Sequence, residues 1–191
     1  MSQEVHQIAQ QQVSKRLAVQ LELQRELGLR MKESCLINTP AALHQAEKLG
    51  VVKIIAGTKG GRSREVPITS EKQINALQNA AVLQQKDRSM VPVEQSLKSY
   101  INSCYKQLGA TSMSGFHGER HYYATTRYEQ LTGVKSPVEA GVKHGKAHIN
   151  YIAQNKCITT EQAKILDLNA RAKIASELGH SRISITNNYL G

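Results

Sequence analysis

The sequence predicts an α+β fold that is mainly α-helical and carries one small antiparallel β-hairpin. Three observations support this. Apolar residues recur at steps of four, as in Val5, Ala9, Val13, Leu17 and Leu21, the stripe of a half-buried helix. Two Ser/Thr-x-x-Gln boxes, at Ser70 with Gln73 and at Thr159 with Gln162, mark helix starts. Residues 51–55 and 65–68 are β-rich runs separated by Gly57, Gly60 and Gly61.

Taken in order, the first stripe predicts one helix ended by Gly28, where a glycine can take the left-handed cap. Pro40 suits a first helical turn, and the helix over residues 41–49 stops at Gly50, so two helices precede the first strand. Residues 51–55 and 65–68 form the long-looped hairpin, with Pro67 marking an edge strand. Ser70 opens a helix to about residue 85, and Pro92 precedes another running to Leu108. Residues 116–131 continue the helical trend, and residues 168–178 end at Gly179. The stretch 133–155 shows no clear period. No repeat or linker interrupts the chain, so the expectation is one domain over residues 1–191.

Lys and Arg outnumber Asp and Glu by 25 to 15, a formal charge of +10, which favours polyanionic partners. No apolar run reaches the roughly 18–20 residues of a membrane span, and the start lacks the apolar stretch of a secretory signal, so a soluble intracellular protein is expected. Cys35, Cys104 and Cys157 are odd in number and without a CxxC pair, which excludes a disulfide framework or zinc knuckle and predicts reduced thiols. Seven tyrosines, one phenylalanine and no tryptophan give little support to base stacking on an aromatic sheet, so contacts to nucleic acid would be dominated by phosphate.

Four segments carry candidate chemistry: ELGLRMKES around Arg30, GTKGGRSREVPI around Lys59, GFHGERHYYA with His117 and Arg120, and ELGHSRISITNNYLG with His180 and Tyr189. Their order and spacing resemble the catalytic domain of the tyrosine recombinases, or phage integrases. In that family an arginine follows a helix-ending glycine, a lysine sits in a hairpin turn, and then come HxxR, LGH and a tyrosine nine residues after the last histidine. Each element is matched here in order, and the resemblance spans most of the chain.

The resemblance implies the DNA breaking-rejoining fold and a role for each matching residue. Arg30 and Arg120 would bind the scissile phosphate, Lys59 and His117 assist proton transfer, His180 stabilise the transition state, and Tyr189 act as nucleophile. His121 beside Arg120 would be supporting. It also implies double-stranded DNA as partner, a homo-oligomer (a tetramer) assembled on it, and a cytoplasmic, nucleoid-associated protein of bacterial or phage origin. No cofactor or divalent metal is required, because side-chain cations replace the metal clamp.

These residue types suit the chemistry. Planar guanidiniums present paired donors to nonbridging phosphate oxygens and stay charged. A phenol that attacks phosphorus conserves the bond in a phosphotyrosine, so the strand can be resealed without ATP. A lysine on a glycine-rich turn can protonate the leaving 5′-oxygen. Arg62, Arg64, Lys143 and Lys146 are the expected DNA backbone contacts.

Singly, each residue has an ordinary structural reading. Arg30 could be a solvated charge, Lys59 with Arg62 and Arg64 a basic loop, His117 a core histidine, Gly179-His180 a helix cap, and Tyr189 a packed tyrosine. His144 and His148 stand at i, i+4 with Cys157 beyond, a weak metal pattern that Gly145 disrupts.

The sequence also departs from the family. His180 follows Arg120 by 60 positions, which implies an inserted segment at about residues 133–166, with Lys135, Lys143, His144, Lys146 and His148 making its middle basic. An N-terminal DNA-clamping domain is expected to be absent, as is the tail that family members dock on a neighbour. The expected function is site-specific DNA recombination through a 3′-phosphotyrosyl intermediate, for integration or excision of a mobile element. The alternatives are a noncatalytic DNA-binding module and a type IB topoisomerase-like enzyme.

Overall fold

Short polar side chains and glycines set most helix ends in this computed structural model, which describes residues 2–191. Two compact units divide the chain, Met1–Tyr122 and Tyr123–Gly191.

In the first unit the opening apolar stripe forms two helices, α1 (Gln3–Gln12) and α2 (Lys15–Leu27), where one was expected. Val13 is extended and Ser14 stands at the N-cap position of α2, its backbone N–H donating to Gln107 Oε1 at 2.8 Å. The break falls at Val13 and Ser14 although the four-residue step runs on unchanged, and the Ser14 side chain makes no cap hydrogen bond. Gly28 ends α2 in the left-handed conformation (φ 58°), as expected. Residues after it form the short helix α3 (Met31–Leu36), and Asn38 and Pro40 start α4 (Thr39–Leu49), which Gly50 ends. Among the described residues four helices therefore precede the first strand.

Strands β1 (Val51–Ile54) and β2 (Arg64–Pro67) form the antiparallel hairpin, with Val52 opposite Val66 and Ile54 opposite Arg64. The period of two buries Val52, Ile54, Val66 and Arg64 and exposes Lys53 and Glu65. The tip holds a 3₁₀ turn at Lys59–Gly61. Ser70 and Gln73 form the expected capping box at the start of α5 (Glu71–Gln84). Helix α6 (Leu97–Leu108) starts later than Pro92 suggested, because Ser96 accepts from Ser99 N–H and supplies the cap. Leu17, Leu21, Met31, Cys35, Tyr100, Cys104 and Phe116 pack together in the core of this unit. All three cysteines are free, and burial pushes the thiols of Cys35 and Cys104 up to about 12 and about 11, leaving them protonated.

Helix α7 (His117–Thr132) contains the boundary between the units. The second unit continues with α8 (Pro137–Ala140), α9 (Lys146–Lys156) and α10 (Thr160–Glu177), so the stretch without a sequence period is helical. Thr159 and Gln162 cap α10, which runs unbroken to Glu177. A 3₁₀ turn (Ile183–Thr186) leads into a final helical turn, α11 (Asn187–Leu190). Helix α10 packs on α9 and on the 3₁₀ turn, and α11 packs on α8. Among the described residues no helix is long and apolar enough to cross a membrane.

Gly57 shows how closely the hairpin loop meets α3. Its φ is 76°, and a Cβ there would lie 2.7 Å from the carbonyl oxygen of Lys32. Gly57→Ala is expected to lower unfolding free energy by about 2 kcal/mol, through left-handed strain and overpacking against backbone. A urea titration of the two proteins measures the difference.

Candidate active site

A connected set of charged groups in the first unit begins at the end of α2. The carbonyl of Gly28 accepts from Arg120 Nη1 and from Arg64 Nη2, the latter at 3.1 Å. Arg64 Nη2 also donates to Glu33 Oε2 at 2.7 Å, and Arg30 Nη1 donates to Glu33 Oε1 at 2.7 Å. Glu33 further accepts the backbone N–H of Arg30 at 2.8 Å, which caps α3. Arg30, three residues before Glu33, and Arg120, 92 residues after Gly28, are thus joined through one buried carboxylate and one carbonyl. Burial alone would raise the pKa of Glu33, but Arg64 and Arg30 outweigh it and hold the carboxyl below its ordinary value.

Arg64 was expected to contact DNA. Its side chain is 1% exposed and turned onto Glu33 and Gly28, and Arg120 is likewise fully buried against the Gly28 carbonyl. The strand alternation explains the burial: Arg64 lies two residues from the buried Val66. Arg62, in contrast, is exposed at the hairpin tip with Lys59. Lys59 stands in the turn, as expected, and is not drawn into the arginine–Glu33 network.

His117 is exposed in the first turn of α7, one turn before Arg120. Its ring centroid lies 5.4 Å from that of His121. Desolvation by its surroundings comes first in lowering its pKa, and the nearby charges of His121, Arg120 and Arg30 add to it, so the imidazole is neutral at pH 7.

A second buried set, which sequence reasoning missed, ties α1 and α2 to α7. His6 pairs through Nδ1 with Glu119 Oε1 and through Nε2 with Glu22 Oε2, each at 2.8 Å. Arg25 Nη1 donates to Glu119 Oε2 at 2.7 Å and its guanidinium lies over the Tyr122 ring. Glu119 therefore anchors the turn of α7 that presents Arg120. A histidine 113 residues from its carboxylate leaves no local signal in the sequence.

In the second unit, the backbone of His180 follows the left-handed Gly179 and donates to Ala175 O at 2.8 Å. His180 Nε2 lies 3.2 Å from the hydroxyl of Tyr189, nine residues on, so these two candidates are brought together. Tyr189 is 5% exposed. Arg127 and Tyr123 both donate to Glu177, at the C-terminal end of α10 just before the LGH segment. Arg171 pairs with Asp167 on the same helix, and Tyr128 donates its hydroxyl to Asp167 at 2.5 Å.

Lys143 and Lys146 are exposed on either side of Gly145, and Lys135 is exposed as well. His144 precedes α9 and is exposed, while His148 is buried within it with Nε2 at 3.2 Å from Lys135 O, so the two do not share a helix face. Among the described residues no group of three or more His, Cys, Asp or Glu side chains is arranged to hold a metal ion.

A family model described as Integrase matches residues 1–126. The chain belongs to the integrase family. The match covers Arg30, Lys59, His117 and Arg120 of this integrase-family domain and stops before His180 and Tyr189. No curated protein matches the chain.

The histidine buried behind the integrase motif makes stability depend on pH. Burial works to lower the His6 pKa, but hydrogen bonds to Glu119 and Glu22 outweigh it and raise it from 6.5 to about 9. A raised folded-state value means that this contribution is complete below pH 6.5 and is lost as pH rises through 9. His6→Gln is expected to be less stable than wild type by about 3 kcal/mol at pH 6, with the gap closing by pH 10. Urea unfolding across that pH range checks this, and a constant gap would contradict it.

Proposed function

We propose that this integrase-family domain cleaves and rejoins DNA by transesterification through a 3′-phosphotyrosyl intermediate, in site-specific recombination that integrates or excises a mobile element. The observation that carries the reading is the contact of His180 with Tyr189: the tyrosine of the expected spacing stands against the histidine of LGH.

In this reading Arg30 and Arg120 bind the nonbridging oxygens of the scissile phosphate, and the Glu33 and Gly28 network fixes their direction. Fixed donors need no reorganisation as charge builds on those oxygens. Neutral His117 accepts the phenolic proton of Tyr189, whose oxygen forms the new bond to phosphorus. The bond from phosphorus to the 5′-oxygen breaks, and the Lys59 ammonium protonates the departing oxygen. His180 donates to the phosphoryl oxygens in the transition state. Attack by a 5′-hydroxyl of the partner strand reverses these steps, so the bond energy is retained throughout.

Arg62, Lys143 and Lys146 contact the DNA backbone in this proposal, supported by their exposure and by the +10 charge of the chain. Assembly as a tetramer on DNA, with action in the cytoplasm at the nucleoid, belongs to the same proposal.

Incubation with a pool of nicked duplexes of randomised sequence around the nick, followed by a denaturing gel, tests the chemistry. Wild type is expected to yield a protein-linked strand and Tyr189→Phe none, with noncovalent duplex affinity unchanged within about twofold. An adduct persisting in Tyr189→Phe would remove Tyr189 as nucleophile.

Lys59→Ala is expected to slow adduct formation by roughly 10²–10⁴-fold. A substrate whose bridging 5′-oxygen is replaced by sulfur should recover most of that loss, because a thiolate leaves without protonation. No recovery would count against Lys59 as the acid.

A further inference from the structure

The segment that bears Tyr189 is one 3₁₀ turn followed by one helical turn, Ile183–Thr186 and Asn187–Leu190. So short a helix does not hold itself together, because nucleation costs more than its few hydrogen bonds return. Its position is set by what it packs on.

Arg171 brackets the tyrosine. Its Nη1 donates to Asn187 Oδ1 at 2.9 Å and to Thr186 Oγ1 at 3.4 Å, before Tyr189, and its Nη2 donates to Gly191 O at 3.3 Å, after it. The Nε edge is held by both oxygens of Asp167, at 3.0 and 2.9 Å. Asp167 is in turn fixed by the Tyr128 hydroxyl. Arg171 lies on α10, and the same helix ends just before His180. One rigid helix thus carries His180 at its end and, through the Arg171 fork, grips the tail on both sides of Tyr189.

We propose that Arg171 is a positioning residue that clamps the Tyr189 segment onto α10 and so keeps the phenol on His180 of its own chain. A planar fork with five donors can engage the carboxylate and three tail acceptors together, which a lysine cannot. The consequence for chemistry rests on Tyr189 being the nucleophile proposed above; the clamp itself does not.

The test uses the full chain with Asn187→Ala, which removes the nearest tail acceptor and keeps the buried Arg171–Asp167 pair, and with Asn187→Asp, which restores an acceptor. Arg171→Gln is the stronger variant. Hydrogen–deuterium exchange of residues 183–191, without DNA, reads the clamp. The pool of nicked duplexes reads the rate of adduct formation, and a gel shift reads noncovalent binding.

Asn187→Ala is expected to exchange faster in this segment alone and to form adduct about tenfold more slowly, the rate equivalent of one lost charge-assisted hydrogen bond, with duplex affinity unchanged. Asn187→Asp should restore both readings to near wild type. Unchanged exchange in both Asn187→Ala and Arg171→Gln would overturn the clamp. Faster exchange with an unchanged adduct rate would overturn its positioning role. If wild type forms no adduct with any duplex, the recombinase reading fails and the exchange data alone decide the clamp.

Discussion

Guanidiniums repel one another, and the first unit holds three of them in one hydrogen-bonded set by placing a buried carboxylate among them. Glu33 accepts from Arg30 on one oxygen and from Arg64 on the other, and Gly28 O accepts from Arg64 and Arg120. Arg64 is the shared member. Its burial in the hairpin makes it the link through which a helix end, a short helix and α7 hold a common geometry. The turn of Gly28 matters twice, because the left-handed cap both ends α2 and aims the carbonyl that the arginines share.

Two histidines of this unit show how surroundings divide the protonation states of one residue type. His6 lies between Glu22 and Glu119 and is charged at neutral pH, so it acts as a structural cation tying α1 to α7. His117, one helical turn before Arg120, has its pKa lowered by desolvation and by nearby positive charge and stays neutral. A neutral imidazole can accept a proton, and one held as a cation between carboxylates cannot. The residues matched by the family model include both histidines.

The second unit relies on the length of α10. A helix of 18 residues fixes the spacing of everything along it: Asp167 and Arg171 one turn apart, Glu177 near its end, and His180 just beyond. The tail bearing Tyr189 has no comparable internal support, so its geometry is borrowed from that helix. Glu177, gripped by Arg127 and Tyr123, steadies the end from which His180 projects.

Local features were legible in the sequence. The caps at Gly28, Gly50 and Thr159, the capping box at Ser70 and the hairpin with Lys59 at its tip all follow from residues a few positions apart. His180 and Tyr189, nine residues apart in the sequence, stand in contact in the structure. The α1–α2 break was masked by an apolar stripe that continued through it, and Arg64 was misread as a surface charge although its alternation with Val66 pointed inward. Tertiary structure alone decided that His6 meets Glu119, that Glu33 joins Arg30 to Arg64, and that Arg171 reaches both sides of Tyr189. Backbone periodicity dictates which residues share a face within one element. Where a buried charge finds its partner on a separate element, the choice is made by how the elements pack, and no spacing along the chain records it.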